Sequence, residues 1–248
     1  MTDIQSLILL FSVGIVSGFI NVNAGGGSSL TLPTLIFLGL DSALANGTNR
    51  ISILIQSYSA VYSFKKEKYS DFKLSFKIAW LTLPGSIIGS LLVLNLSDEV
   101  FEKVLGAVMI GIIITMIIPR KKVNVIDGNN KISWSVYLAM FFIGFYGGFI
   151  QVGVGFILMA VLQHLMKLDL LSVNMHKVFI VMIFTIPATI VFIVTGNVNW
   201  AMALTLAAGN SLGAWWAAKF AVKKGEKLIK VVLIASILIM SLKLFDIF

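Results

Sequence analysis

Apolar residues run along this chain in long blocks, at about Ile4 to Leu38, Ala43 to Phe64, Phe72 to Leu96, Val100 to Ile118, Ile132 to Met166, Leu170 to Thr195, Trp200 to Ala221 and Leu228 to Leu244. A helix crossing a bilayer needs about 20 such residues, and six of the blocks fit one crossing each. The blocks beginning at Ile4 and Ile132 are about 35 residues long, too long for one crossing and short for two complete ones. Each predicts a broken hairpin, in which a helix enters, unwinds and returns through a shorter helix. In the first, the stretch NVNAGGGSSLTLP, Asn21 to Pro33, sets three glycines, two serines and a proline where a span should continue. Glycine is a poor helix former and proline removes a backbone donor, so the chain is expected to break there.

Composition agrees with a membrane protein, with 58% hydrophobic and 12% charged residues against roughly 25% charged in soluble domains. The apolar start outruns the core of a signal peptide and has no basic region before it, so the first helix is expected to stay. The absence of cysteine excludes disulfides, thiol chemistry, iron-sulfur clusters and thiolate zinc sites. An intramembrane enzyme would need a nucleophile with a base or a metal cluster, whereas the chain offers only His164 and His176 and no carboxylate well inside a span, so no catalytic residue, metal or cofactor is expected. A primary pump is excluded within this chain by the lack of a P-loop.

The net charge of +8 comes from lysines in short loops, which is a topology signal and not a nucleic-acid surface. Three basic groups, Lys65, Lys66, Lys68 and Lys73, then Arg120, Lys121, Lys122 and Lys131, then Lys219, Lys223, Lys224, Lys227 and Lys230, are all expected in the cytoplasm. The parity closes only if each long block returns to its own side, which puts both termini outside. The expected fold is an all-α polytopic membrane protein of two inverted-topology repeats, residues 1–123 (hairpin 4–38 plus three spans) and 124–248 (hairpin 132–166 plus three spans), in one integral membrane domain. Residues repeat as well: Gly14, Gly18, Phe19, Ile20 and Gly25 recur as Gly144, Gly148, Phe149, Ile150 and Gly155, Asn21 is answered by Gln151, and Gly85 and Gly89 by Gly209 and Gly213. Glycines four apart are close helix contacts. Inverted repeats with broken helices are a signature of secondary transporters, whose substrate sits near the midplane.

The stretch GFINVNAGGGSSLTLPTLIFLGLDSALANGTNR and its degenerate second copy GFYGGFIQVGVGFILMAVLQHLMKLDLLSVNMHK resemble the TauE/SafE family of sulfite and organosulfonate exporters. The resemblance covers essentially the whole chain; the second copy lacks the triple glycine and the proline. It implies movement, with export expected, of small sulfur-containing anions such as sulfite, thiosulfate and sulfonates.

The residues point to an anion independently. Arg50 and Lys177 lie well inside their spans, at corresponding places in the two repeats, as Asn49-Arg50 and His176-Lys177. A charge at that depth is expensive and marks a functional site by default. Two cations without a carboxylate partner suit an anion; the alternative is snorkelling or bonding to exposed carbonyls. Gly25, Gly26, Gly27 and Ser28 in the first break offer backbone donors and a half-helix N-terminus, which favour an oxyanion, while Gly153 and Gly155 let the second break approach closely. Asn21, Asn23, Asn49, Gln151 and His176 add polar groups, although Asn and Gln often staple helix breaks and His176 serves equally as a proton-linked switch or a structural hydrogen bond. The expected partners are a small sulfur anion and membrane lipids, with a homodimer possible and no nucleic acid. The rival readings are an anion channel, a carrier of another small anion such as a carboxylate, and a scaffold.

Overall fold

The computed structural model describes residues 4–117 and 132–224. The expected last span, Leu228 to Leu244, the basic group from Arg120 to Lys131, Lys227 and Lys230 lie outside the described residues. Among those described, every regular element is a helix: α1 (Ile4–Asn23), α2 (Ser28–Phe37), α3 (Ser42–Lys66), α4 (Phe72–Ala79), a 3-10 turn (Trp80–Thr82), α5 (Leu83–Val93), α6 (Asp98–Ile117), α7 (Trp134–Phe149), α8 (Val154–His164), α9 (Leu170–Val194) and α10 (Trp200–Lys224). Among the described residues, three helical runs are long and apolar enough to cross a membrane, Ile4–Asn23, Phe72–Val93 and Leu170–Val194.

Both long blocks break. The first unwinds over only Ala24 to Gly27, and Pro33 lies inside α2, not in the break. Within α2 the hydroxyls of Ser29 and Thr34 bond back to the Gly26 and Leu30 carbonyls. The second break, Ile150 to Gly153, turns through two left-handed residues, Gln151 (φ 67°) and Gly153 (φ 72°). The block from Phe72 is also interrupted, by the 3-10 turn, and Pro84 sits in the first turn of α5, where its missing donor costs least. Pro187, by contrast, is carried inside the continuous helix α9.

Two apolar cores divide the molecule. Leu10 of α1, Leu32 and Leu35 of α2, Leu40, Val93, Phe101, Phe192 and Met202 form one. Phe64, Ile78, Val136 and Met140 of α7, Leu158 and Leu162 of α8, Leu170 and Ala221 form the other, next to the lysines that end α3 and α10. The end of α2 thus shares a core with the first half of α1, and the end of α8 with the start of α7.

The glycine pairs set the helix contacts. α1 packs on α10 and α7 packs on α5. A methyl on Gly14 or Gly18 would collide with the α10 backbone at Leu206 and Asn210, and one on Gly144 or Gly148 with the Thr82 and Ser86 carbonyls. Such small-residue faces let backbones meet where lipid provides no hydrophobic drive between helices.

Candidate functional site

The interior is built around α3 and α9, which pack on each other. Each begins at an aspartate: the Asp41 carboxylate accepts from the Leu44 N–H at 2.9 Å, and the Asp169 carboxylate from Leu171 and Ser172 at 2.9 and 3.0 Å, the N-cap bond expected of this residue type. Roughly two turns further along each helix sits a buried cation, Arg50 at 0% exposure and Lys177 at 1%.

Neither cation is left without a partner. The Arg50 guanidinium donates to the Gly147 carbonyl at 2.8 Å, to the Gly148 carbonyl, and to Phe149 at 3.2 Å, and its carbon lies 5.0 Å over the Phe192 ring. Lys177 Nζ donates to the Val22 carbonyl at 2.7 Å and to Asn174 Oδ1 at 2.9 Å. These carbonyls end α7 and α1, where a helix leaves unpaired acceptors and carries partial negative charge. The two bonds are reciprocal: a cation on α3 closes the first helix of the second hairpin, and a cation on α9 closes the first helix of the first hairpin. Bonding to exposed carbonyls, the alternative open in the sequence, is therefore realised at both positions. Asparagines assist in the same sense, Asn46 Nδ2 donating to Phe149 O at 2.9 Å and Asn174 Nδ2 to Asn23 O at 3.4 Å.

With their C-terminal ends closed by cations, the hairpins present the opposite poles to the centre. α2 starts at Ser28 and α8 at Val154, and the first break crosses the first turn of α8 backbone to backbone at Gly25 and Gly155, where a methyl on Gly25 would stand 2.5 Å from the Gly155 carbonyl carbon. Beside this crossing lies a cavity with about 10 Å³ of space for water centres, lined by Asn21, Ser28, Gln56, Ser57, Gln151, Gly155 and Lys177 and closed by Ile53, Val154, Val178 and Val181. That is room for about one water. Its described lining residues include a lysine, serines, an asparagine, glutamines and the first residues of α2 and α8, and no Asp or Glu. The arrangement suits an oxyanion.

The expected site residues divide on this geometry. Asn21, Ser28, Gln151, Gly155 and Lys177 meet at the cavity. Arg50 stands one residue back, with a long contact of 3.5 Å to Gln151 Oε1, while Gln151 Nε2 donates to Thr185 at 2.8 Å. Gly25 forms the crossing, Gly26 lies under the Phe156 ring edge, and Gly27 lies against Ser17, whose hydroxyl donates to the Gly27 carbonyl at 2.9 Å. Gly153 is the left-handed residue before α8. Asn49 Oδ1 accepts from Thr31 at 2.7 Å, and Asn23 bonds back to the Phe19 carbonyl at 3.1 Å. His176 is not brought to the cavity: its Nδ1 pairs with Ser75 Oγ at 2.7 Å and ties α9 to α4, the structural alternative.

Gln56 and Ser57 were not singled out from the sequence. A signal existed: α3 buries Asn49, Ser52 and Gln56, a polar stripe at helical spacing inside an apolar chain. Gln56 is 2% exposed and its Oε1 has no hydrogen-bond partner.

Residues 10–244 match the family described as sulfite exporter TauE/SafE. Among curated relatives, a probable membrane transporter protein of Haemophilus influenzae is 29% identical over 97% of this chain and 95% of its own. The probable membrane transporter protein YfcA of Escherichia coli K12 is 30% identical over 95% of this chain and 88% of its own. YunE of Bacillus subtilis, also a probable membrane transporter protein, is 23% identical over 90% of each. No solved structure matches the chain.

Proposed function

We propose that this chain, which belongs to the sulfite exporter TauE/SafE family of multi-pass membrane transporters, moves small sulfur-containing anions outward across the cytoplasmic membrane by alternating access. Sulfite, thiosulfate and organosulfonates are the substrate class. The observation that carries the reading is the cavity beside the Gly25–Gly155 crossing, where Lys177, the starts of α2 and α8, and the residues Asn21, Ser28, Gln56, Ser57 and Gln151 meet. Arg50 acts at one remove, by holding the end of α7 and contacting Gln151.

In this proposal residues 1–123 and 124–248 are inverted repeats, with both termini outside. The exchange of capping cations between hairpins, the matching glycine contacts of α1 with α10 and α7 with α5, and the two cores that each take back one hairpin support it. Each hairpin then moves against the other repeat, opening the cavity to one side at a time. A cavity with space for about one water supports a closed state of a carrier over an open anion pore.

The test is flux in liposomes of purified protein, comparing sulfite, thiosulfate, a sulfonate, sulfate and a carboxylate. Saturable flux of one or more of the first three is expected. Flux of the carboxylate alone, non-saturating conductance or no flux of any anion would overturn the reading.

A further inference from the structure

On the outer surface of the helix bundle, sharing no lining residue with the central cavity, a groove of about 480 Å³ runs between α7 and the 3-10 turn with α5, lined by Trp80, Leu83, Pro84, Ile87, Tyr137 and Phe141 among others. It follows from the break in the helix: Gly85 and Gly89 bring α5 against the α7 backbone at Phe141 and Phe145, while the 3-10 turn and Pro84 splay the preceding side chains away. Trp80 and Ile87 are 61% and 42% exposed.

We propose that this groove holds one acyl chain of an anionic glycerophospholipid whose headgroup lies against Lys77 and Lys73. Lys77 is three and four residues before Trp80 and Leu81, both of which line the groove, so it stands over the mouth on the same helix face. Lys73 is one turn further out, and both lysines are exposed; the acid on this approach is Asp71, at the start of α4. Two aromatic pairs flank the mouth, Phe76 with Trp80 at 5.9 Å between ring centroids and Trp134 with Tyr137 at 6.1 Å, as aromatic rings do at headgroup depth. Lysine, aromatic and aliphatic levels thus follow one another in the order of phosphate, glycerol and acyl chain.

From Trp80 to Ile87 the groove extends roughly 10 Å at the helical rise, the length of part of one extended acyl chain. The lysines select the sign of the headgroup, and anionic lipid is enriched in the cytoplasmic leaflet, where the basic loops are expected.

The experiment is a lipid titration of the purified full chain in detergent, read by native mass spectrometry, with phosphatidylglycerol and phosphatidylcholine of identical chains. Phosphatidylglycerol is expected to bind more tightly. Lys73→Gln with Lys77→Gln should lower its affinity about fivefold per lysine and leave phosphatidylcholine unchanged, and Ile87→Trp should weaken both. A photoreactive acyl chain on phosphatidylglycerol, used with the unaltered protein, should crosslink within 80–87 and 137–141. Equal affinity for the two lipids, a preference that survives the double substitution, or crosslinks confined to other helices would overturn the proposal. So would a dimer that Ile87→Trp dissociates without loss of lipid, which would assign the groove to a second copy.

Discussion

Gly25 and Gly155 meet with no side chain between them: a methyl on Gly155 would stand in the Gly25 backbone, and one on Gly25 would lie 2.5 Å from the Gly155 carbonyl carbon. Backbone on both sides cannot yield as a side chain tip does, and Gly25 also holds φ at 90°, a conformation that penalises any Cβ. Gly155→Ala is therefore expected to lower stability by about 1–3 kcal/mol or more through overpacking. Gly106→Ala, with nothing within 4 Å of the added methyl, should be neutral or slightly stabilising in its helix. Thermal unfolding in detergent checks the pair; equal melting temperatures would remove the crossing as a structural constraint.

Gly26 differs from its neighbours because what faces it is the end of the Phe156 ring, 2.5 Å from an added methyl, whereas Gly27 faces the Ser17 backbone. A ring can turn aside. Gly26→Val is expected to insert and fold but to lose transport, by pushing aside the Phe156 ring next to Gly155 at the proposed substrate cavity. Gly27→Val should fail already at folding. Surface expression measured alongside liposome flux separates the two, and wild-type flux in Gly26→Val would reduce the glycine run to packing.

Arg50 reaches three consecutive carbonyls because its guanidinium is a planar fork. A lysine at this position keeps the charge but offers one compact donor group. Arg50→Lys is therefore expected to lose stability and flux together, and Arg50→Gln to lose more, about 1–3 kcal/mol for each buried carbonyl left without a donor. Unfolding and flux assayed on the same preparations decide this. Unchanged stability with impaired affinity in both variants would make Arg50 a direct substrate ligand.

Lys177 both closes α1 and lines the cavity, so in the proposed reading its charge has a second use. Lys177→Gln should weaken sulfur-anion binding by a charge-assisted contact, about 1.5–3 kcal/mol, or roughly ten- to a hundredfold. Lys177→Arg should lose less. Equilibrium binding of sulfite to purified variants measures it, and unchanged affinity in Lys177→Gln would leave the lysine a helix cap alone.

The sequence made the breaks legible because glycine and left-handed turns act locally, and the close helix faces because glycines four apart leave a mark at helical period. It showed the depth of Arg50 and Lys177, since a cation is conspicuous in an apolar span. Their partners were hidden: Arg50 finds its carbonyls about 100 residues away, and backbone acceptors have no residue type to betray them. The first break was expected to reach Pro33, but α2 resumes at Ser28, because burial of Leu32 and Leu35 in the core outweighs a propensity that alone disfavours the helix. Gln56 and Ser57 escaped because polarity in α3 follows a buried face, and which face is buried depends on α9 and α10. His176 shares the depth of Lys177 in sequence but points to Ser75 on α4, a direction that spacing alone does not give.

In the proposed function a small sulfur anion binds in the cavity beside the Gly25–Gly155 crossing. The chain has no cysteine, so Ser57→Cys places a single thiol on the cavity wall without further substitution. Its rate of modification by a small methanethiosulfonate reagent is measured in liposomes with and without ethanesulfonate, an organosulfonate that does not react with the reagent or with the mixed disulfide. Slow modification is expected, suppressed by ethanesulfonate in proportion to its occupancy and unchanged by choline. Modification indifferent to saturating ethanesulfonate, in a variant that still transports it, would place the anion elsewhere.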